Sequence, residues 1–173
     1  MVEVAEQIET EQIAAKQLEN QVQFLSFVLG DEEYAVDILR VQEIRSWEPV
    51  SRIPNVPAYE KGVVNLRGAI VPIVDLRERF GLPHLEYSAL TVVVVLQSIT
   101  QTGKTRVMGV VVDSVSDVMD VDKCAIQSPL EFGRQVSTEF INGLVAVKGR
   151  MVMLLDVNKL LKLDGVDNDN DSP

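Results

Sequence analysis

Few residues of this chain have types and spacings that suit covalent or metal chemistry. His84 is the only histidine, so a site built from several histidines of one chain is excluded. His84 lies in a Gly-Leu-Pro-His-Leu loop, where an ordinary solvated imidazole is expected rather than a general base. Cys124, the only cysteine, stands beside Lys123, and a neighbouring cation favours the nucleophilic thiolate. A small apolar filler or an exposed thiol is the favoured explanation of Cys124.

Longer chemical motifs are absent from the sequence. It contains no glycine-rich phosphate loop, no His-Glu-x-x-His and no Gly-x-Ser-x-Gly. Acidic pairs such as Glu32 and Glu33 stand in turns, where solvation explains them. We therefore expect no catalytic residue, no metal and no cofactor. An enzyme built on Cys124 and Asp122 is an alternative that replacement of Cys124 by serine would test.

Composition limits the class of protein and its partners. The chain has 173 residues, 46% of them apolar, which is enough for one compact domain or two small lobes that share a core. A net charge of −10 opposes binding to phosphate backbones and anionic lipids, so we expect no nucleic-acid partner and no direct membrane insertion. A lone cysteine suits a reducing compartment, and we expect a cytoplasmic protein.

Two stretches of the chain repeat each other. Residues 62–82 align without a gap on residues 143–163, at an offset of 81, and six of the 21 positions are identical. A second register, at an offset of 74, places residues 34–44 on residues 108–118. A unit this long that occurs twice is not a solenoid repeat. We predict two similar lobes, at roughly 24–88 and 89–163, with exchange of strands between them.

Turn signals recur at matching places in the two repeats. Two tight hairpins are predicted at Arg67-Gly68 and at Lys148-Gly149, where a glycine supplies a positive φ. After each hairpin an acid, Asp75 or Asp156, is expected to cap a short helix.

Most other segments resemble strands. Residues 24–29 and 34–38 flank a polar turn and predict a hairpin, and residues 38–46 fit either a helix or a strand, with a strand favoured for the second half. The continuous apolar runs at 90–96 and 107–112 predict strands that are covered on both faces. Many short strands with turns at this spacing indicate small antiparallel barrels.

The two ends of the chain differ from this pattern. Residues 1–20 are rich in Glu, Gln and Ala, and we expect a weakly ordered leader or, alternatively, a helix docked on a partner. Residues 164–173 form an acidic tail with little to bury, for which we expect disorder.

Two polar residues stand where packing does not require them. Glu43 alternates with Val41 and Ile44, and Arg67 is at a hairpin tip. We hypothesise that Glu43 and Arg67 pair across neighbouring strands and belong to a recognition surface. Their counterparts in the other repeat are Asp117 and Lys148. A solvated strand position and an ordinary turn residue are the plain alternatives.

Three segments, at residues 29–45, 61–77 and 109–118, resemble the CheW family of bacterial chemotaxis adaptors. The resemblance runs from about Phe24 to Leu161 and implies a mainly β fold of two five-stranded antiparallel barrels, similar to SH3 or OB barrels, packed on a shared apolar layer with short helices. It also implies a non-catalytic scaffold that couples the cytoplasmic tips of methyl-accepting chemotaxis receptors to the regulatory domain of the histidine kinase CheA. No cofactor is implied.

The resemblance also implies where the partners are contacted. Family positions associated with receptor or kinase coupling fall on Val41, Glu43, Gly62, Arg67 and Val93. Ile44 and Val118 are added because they neighbour such positions, and Val41, Ile44, Val93 and Val118 are expected to line a crevice between the barrels. Glu131 and Phe132 resemble a family loop that helps to close rings of adaptor and kinase domains; a buried core aromatic is the alternative for Phe132.

Two other functions remain open at this point. One is an adaptor for another receptor pathway, such as pilus-based motility, which the identity of the co-purifying kinase would distinguish. The other is a small-ligand-binding β-barrel, which requires a sizeable apolar pocket with convergent polar groups.

Overall fold

The computed structural model describes residues 2–129 and 139–162. Three α-helices are present in these ranges: α1 (Val2–Glu19), α2 (Leu76–Arg79) and α3 (Val157–Leu160). The strands in these ranges are β1 (Gln21–Leu29), β2 (Glu32–Asp37), β3 (Val41–Ser46), β4 (Glu60–Leu66), β5 (Ala69–Asp75), β6 (Val92–Ile99), β7 (Thr105–Val112), β8 (Ser114–Asp122), β9 (Ile141–Val147) and β10 (Arg150–Leu155). Short 3-10 turns precede β3, at Ile38–Arg40, and follow β8, at Lys123–Ala125.

The strands form two five-stranded sheets. The first sheet has the order β8-β1-β2-β10-β9 and the second the order β3-β6-β7-β5-β4. The two sheets have the same topology, because the strands correspond in order: β8, β1, β2, β10 and β9 of the first match β3, β6, β7, β5 and β4 of the second. Each sheet therefore takes two strands from one repeat and three from the other.

The predicted class, a mainly β protein of two five-stranded sheets, is confirmed, but the sheets are not closed barrels. In the described residues each sheet ends in two outer strands that do not pair with each other: β8 and β9 in the first, β3 and β4 in the second. Each sheet also contains one parallel pair, β2 with β10 and β5 with β7, so the sheets are not purely antiparallel. Side-chain alternation along a strand predicts its faces and does not determine its neighbours, which explains both differences.

Apolar side chains form three clusters. The largest fills the layer between the sheets and includes Phe27, Tyr34, Val94 and Val110. A smaller cluster lies on the opposite face of each sheet. In β6, Val93 and Val95 belong to the second sheet's own cluster while Val94 and Leu96 belong to the shared layer. This confirms that the continuous apolar runs are strands covered on both faces.

Both predicted hairpin turns, at Arg67-Gly68 and at Lys148-Gly149, are formed. At the β4–β5 hairpin Arg67 and Gly68 have φ values of 53° and 86°, and at the β9–β10 hairpin Lys148 and Gly149 have φ values of 48° and 77°. Two successive positive φ angles are typical of the type I′ turn, whose twist matches that of the strands.

The two predicted helix caps are also formed. Asp75 accepts a hydrogen bond from the Glu78 backbone N–H at 3.3 Å, and Asp156 accepts one from Lys159 at 3.2 Å. The N-terminal segment forms α1, whose side chains at residues 3–15 are exposed. The acidic tail lies outside the described residues.

Tyr34 lies within the layer between the sheets. Its ring centroid is 6.2 Å from that of Phe27 and 5.5 Å from that of Phe80. Burial, with a smaller contribution from the charge of Glu32, raises the pKa of Tyr34 from 10.0 to about 12. As the pH rises past about 10, the unfolded chain loses this proton first, so folding stability falls over the window from pH ~10 to ~12.

We therefore expect the alkaline loss of stability to be steeper for the native chain than for Tyr34→Phe. One pKa unit corresponds to about 1.4 kcal/mol, so between about pH 9 and pH 11.5 the native chain should lose about 2 kcal/mol more than the variant. Urea unfolding across this range measures the difference. Equal losses in the two proteins would contradict the assignment to Tyr34.

Candidate functional site

The centre of the candidate site is an exposed ion pair between Glu43 and Arg67. Arg67 Nη2 lies 3.2 Å from Glu43 Oε2, and Arg45 Nη1 lies 3.5 Å from Glu43 Oε1. The Arg67 side chain is 89% exposed, whereas that of Glu43 is 27% exposed. A half-buried carboxylate thus contacts two arginines at the surface. Sequence reasoning missed Arg45, although its position two residues after Glu43 on a strand predicts the same face.

The ion pair is confirmed, but the strands that carry it are not neighbours. Glu43 is on β3 and Arg67 is at the tip of the β4–β5 hairpin, and β3 and β4 are the two outer strands of the second sheet. The sheet therefore curls until its two edges approach. The ion pair spans the gap between those edges where no hydrogen-bonded ladder does.

A surface groove adjoins this ion pair. Its volume is about 410 Å³, and its lining combines polar groups with an apolar floor: Gln42, Glu43, Leu66, Arg67, Ala69, Val71 and Val107. A second pocket reaches towards the apolar interior of the second sheet at Ile73, Val93 and Val95 and has a volume of about 90 Å³. Ligand sites usually occupy about 300 Å³ or more, so this interior pocket is small for a ligand-binding barrel.

Gly62 lies on β4, the outer strand that leads to the Arg67 hairpin. It has a φ of +147°, and a Cβ added there would lie 2.1 Å from the carbonyl oxygen of Ser51. Ser51 and Val63 exchange two backbone hydrogen bonds, of 3.1 and 2.8 Å, which cover the outer edge of β4. Gly62 is thus required by a close backbone approach that protects an edge strand.

The same arrangement recurs in the first sheet. Gln127 and Leu144 form the matching bridge on the outer edge of β9. A Cβ on Gly143 would lie 2.6 Å from Ile126 Cγ2. In both sheets the repeated glycine thus faces a preceding segment that covers an edge, but only Gly62 has a positive φ and would bring an added Cβ within 3 Å of a backbone atom.

The structure does not bring Val41 and Val93 to one surface. Val93 is only 6% exposed and lies in the second sheet's own cluster, while Val41 packs against the layer between the sheets. The two side chains lie on opposite faces of the sheet, so they do not line a common crevice. The sequence does not show which face of a sheet each strand residue occupies, so the predicted crevice combined residues from opposite faces.

Ile44 and Val118 are exposed on different sheets. They match each other in the repeat, each is 46% exposed, and they lie on the outer strands β3 and β8. Each is an apolar side chain at the rim of its own sheet.

The counterparts of Glu43 and Arg67 in the other repeat are arranged differently. In the part of the chain that the structure describes, no ion pair joins Asp117 to Lys148. Asp117 instead accepts a hydrogen bond from the Val118 backbone N–H at 2.8 Å. The first sheet has a different ion pair, Glu33 with Arg150 at 3.1 Å.

Glu131 and Phe132, the predicted ring contact, lie outside the described residues.

The region around Cys124 has a structural explanation. Asp122 accepts a hydrogen bond from the Cys124 backbone N–H at 2.9 Å and caps the 3-10 turn that follows β8, while Cys124 itself is exposed.

Among the described residues, no helix is long and apolar enough to cross a membrane.

The duplicated sheets and the surface ion pair define an internally repeated, two-sheet β module. Comparison with known proteins identifies the family. The family model described as the CheW-like domain matches residues 23–164, and the chain belongs to this family. The predicted resemblance is thereby confirmed.

Named relatives and a solved structure agree with this assignment. A chemotaxis protein CheW of Klebsiella aerogenes is 48% identical over 139 residues, which cover 80% of this chain and 81% of that protein. A chemotaxis protein CheW of Rhizobium meliloti is 38% identical, covering 85% and 92%. The crystal structure of the scaffolding protein TtCheW from Thermoanaerobacter tengcongensis has a TM-score of 0.74 and 27% identity and covers 83% of this chain and 90% of that one.

Proposed function

We propose that this protein is a non-catalytic chemotaxis scaffold that couples the cytoplasmic tips of chemoreceptors to the histidine kinase CheA. The kinase would come under receptor control through it. The protein would act in the cytoplasm and be recruited to membrane-associated receptor arrays. This proposal extends the family assignment, which covers residues 23–164, to named partners.

The observation that carries the proposal is the ion pair of Glu43 and Arg67 at the rim of the groove. Exposed ion pairs contribute about 0–1 kcal/mol to folding. Arg67 is 89% exposed, and within the described ranges the matching hairpin of the first sheet forms the same turn with Lys148, which makes no such ion pair with Asp117. A fixed charge pair that folding does not need, beside an apolar floor, suits recognition of another protein.

The shape of the groove suits a helical partner. A receptor tip is a helical hairpin, and an amphipathic helix binds by laying an apolar stripe into a groove while its flanking polar groups meet the rim. Leu66, Val71 and Val107 offer the apolar floor, and Glu43 and Arg67 offer the rim. Ile44, 46% exposed on the same outer strand, pairs with Val94 of the shared layer and so lies on the other face of the sheet, where it would offer a separate apolar contact.

The remaining coupling positions are proposed to act in other ways. Gly62 and Val93 would act indirectly, by holding the β4 edge and the interior of the second sheet. Val41 would hold β3 against the shared layer. Val118, on the first sheet, would belong to a separate face for the kinase, and Glu131 with Phe132 stay predicted ring contacts.

Control of a kinase by a receptor through a scaffold is a coupling free energy between two sites. The scaffold must therefore bind both partners at once and hold the kinase differently in the two receptor states. Two sheets with separate exposed rims provide two such faces.

A reconstituted kinase assay tests the proposal. Receptor and the CheA homologue are combined with and without this protein, and autophosphorylation is measured with and without receptor ligand. We expect the protein to raise kinase activity and to make it respond to the ligand. A kinase that responds equally well without the protein would contradict the proposal, and co-purification of a different kinase would favour an adaptor for another pathway.

A further inference from the structure

Three potential metal ligands meet beside α2, away from the Glu43–Arg67 site. They are Asp75, Glu78 and His84, and one ligand atom from each lies within 4.8 Å of the others. No metal-ligand spacing in the sequence predicts this group, because its members come from the end of β5, from α2 and from the following loop. The group exists only because the chain turns back after α2.

The turn that brings His84 back is held in place by Arg77. Gly81 has a φ of +73°, which reverses the chain direction after α2. Arg77 Nη1 donates a hydrogen bond to the Pro83 carbonyl oxygen at 2.7 Å, one residue before the histidine. The same arginine is fixed by Asp113, whose Oδ1 lies 2.9 Å from Nε. His84 Nδ1 consequently lies 3.0 Å from Glu78 Oε1.

The two carboxylates also have the outer contacts that metal ligands usually have. Tyr87 donates its hydroxyl hydrogen to Asp75 Oδ2 at 2.6 Å. Lys61 Nζ lies 2.7 Å from Glu78 Oε2, on the carboxylate oxygen that does not face His84. Such outer partners orient ligating groups in known metal sites.

An ionised carboxylate offers about four acceptor positions, so Asp75 can keep its bonds to Tyr87 and to the Glu78 backbone and still bind an ion.

Charge also favours a cation in this place. Asp75 and Glu78 together carry two negative charges, and Lys61 offsets one of them. The ligand set of one imidazole and two carboxylates is typical of zinc and related divalent transition ions, and less so of calcium or magnesium, which take oxygen ligands.

We propose that Asp75, Glu78 and His84 form a binding site for a divalent transition-metal ion of the zinc type. Zinc binds nitrogen and oxygen ligands at about 2.0–2.2 Å, so the three ligand atoms must move closer together by roughly 1–1.5 Å from their widest separation. His84, whose side chain is 51% exposed, can supply this movement. Water completes the coordination. The ion fastens the 81–85 loop to α2, and the site is independent of the proposed scaffold function.

Zinc titration of the untagged 173-residue chain tests the proposal. Because His84 is the only histidine, any imidazole coordination seen by electron-spin-echo spectroscopy of the copper(II) form must come from this residue. We expect one zinc per chain and an increase in melting temperature with zinc concentration, since an ion that binds the folded state stabilises it.

Matched variants separate this site from the other groups that bind metals. His84→Ala and Glu78→Gln should each weaken zinc binding more than 100-fold, beyond the roughly 10–100-fold that follows loss of an outer partner, which we expect for Tyr87→Phe. Cys124→Ser removes the only thiol and should leave binding unchanged. His84→Gln is a second variant that removes the imidazole, and it keeps a polar side chain at this exposed loop position. Absence of zinc binding, or full affinity in either His84 variant, would overturn the proposal.

Discussion

Gly62→Ala is expected to lower the free energy of unfolding by about 3–5 kcal/mol. The added Cβ would lie 2.1 Å from the Ser51 carbonyl oxygen, a backbone atom that cannot rotate away, and the φ of +147° is strained for any side chain. Such backbone strain costs about 1–3 kcal/mol. The two hydrogen bonds between Ser51 and Val63 must also break, at about 1 kcal/mol each. For a chain of this length, each kcal/mol lowers the melting temperature by roughly 2–4 °C.

Gly68→Ala is the matched control for this change. Gly68 also has a positive φ, of +86°, but nothing lies within 4 Å of the position of an added Cβ. Only the backbone conformation is penalised there, by about 1–2 kcal/mol. Calorimetry or urea unfolding of the two variants measures the difference. A Gly62→Ala protein as stable as the Gly68→Ala protein would show that the segment around Ser51 does not protect the β4 edge.

This result also bears on how Gly62 affects coupling. Substitution of a residue that supports the second sheet should weaken partner binding and lower the free energy of unfolding together. Substitution of Arg67, by contrast, should weaken partner binding with little change in the free energy of unfolding. The ratio of the two effects therefore distinguishes supporting residues from contact residues.

Charge reversal at the surface ion pair is expected to have the largest effect on binding. Glu43→Arg or Arg67→Glu places like charges together, which costs several kcal/mol when a partner buries them. We expect each variant to bind a receptor cytoplasmic fragment about 10–100-fold more weakly. Each should change the free energy of unfolding by about 1 kcal/mol or less, because the pair is exposed. Isothermal titration with the fragment, together with urea unfolding, measures both quantities.

The matched control for this pair is Lys148→Glu. Lys148 has the corresponding hairpin position in the first sheet and a similar φ, of 48°. Its reversal should leave binding of the receptor fragment unchanged. The Glu43→Arg/Arg67→Glu double variant completes a thermodynamic cycle: recovered binding would indicate that the pair works by holding the two sheet edges together, and no recovery that its charges contact the partner. If both single variants bind as the native chain does, the groove is not the receptor site.

Several features of this protein could be predicted from its sequence because they are local. Asp75 and Asp156 cap helices, and Arg67-Gly68 and Lys148-Gly149 form turns, as predicted. These features depend on residues within a few positions of one another. Local backbone and hydrogen-bond preferences are therefore sufficient to predict them. The duplication was visible for the same reason, because matching local patterns recur along the chain.

Features that join distant segments were predicted less well. The apolar alternation of β6 predicted burial on both faces, but it did not indicate that Val93 and Val41 would occupy opposite faces of one sheet. Glu43 and Arg67 were correctly paired and wrongly placed on neighbouring strands.

Sequence alone thus determined the family, the strands, the turns, the caps and the identity of the exposed charges. The tertiary structure decided which strands are neighbours, that the sheets stay open and why Gly62 must lack a side chain. The physical reason is that side-chain periodicity specifies the two faces of a strand, whereas pairing between distant strands depends on the packing of the whole chain.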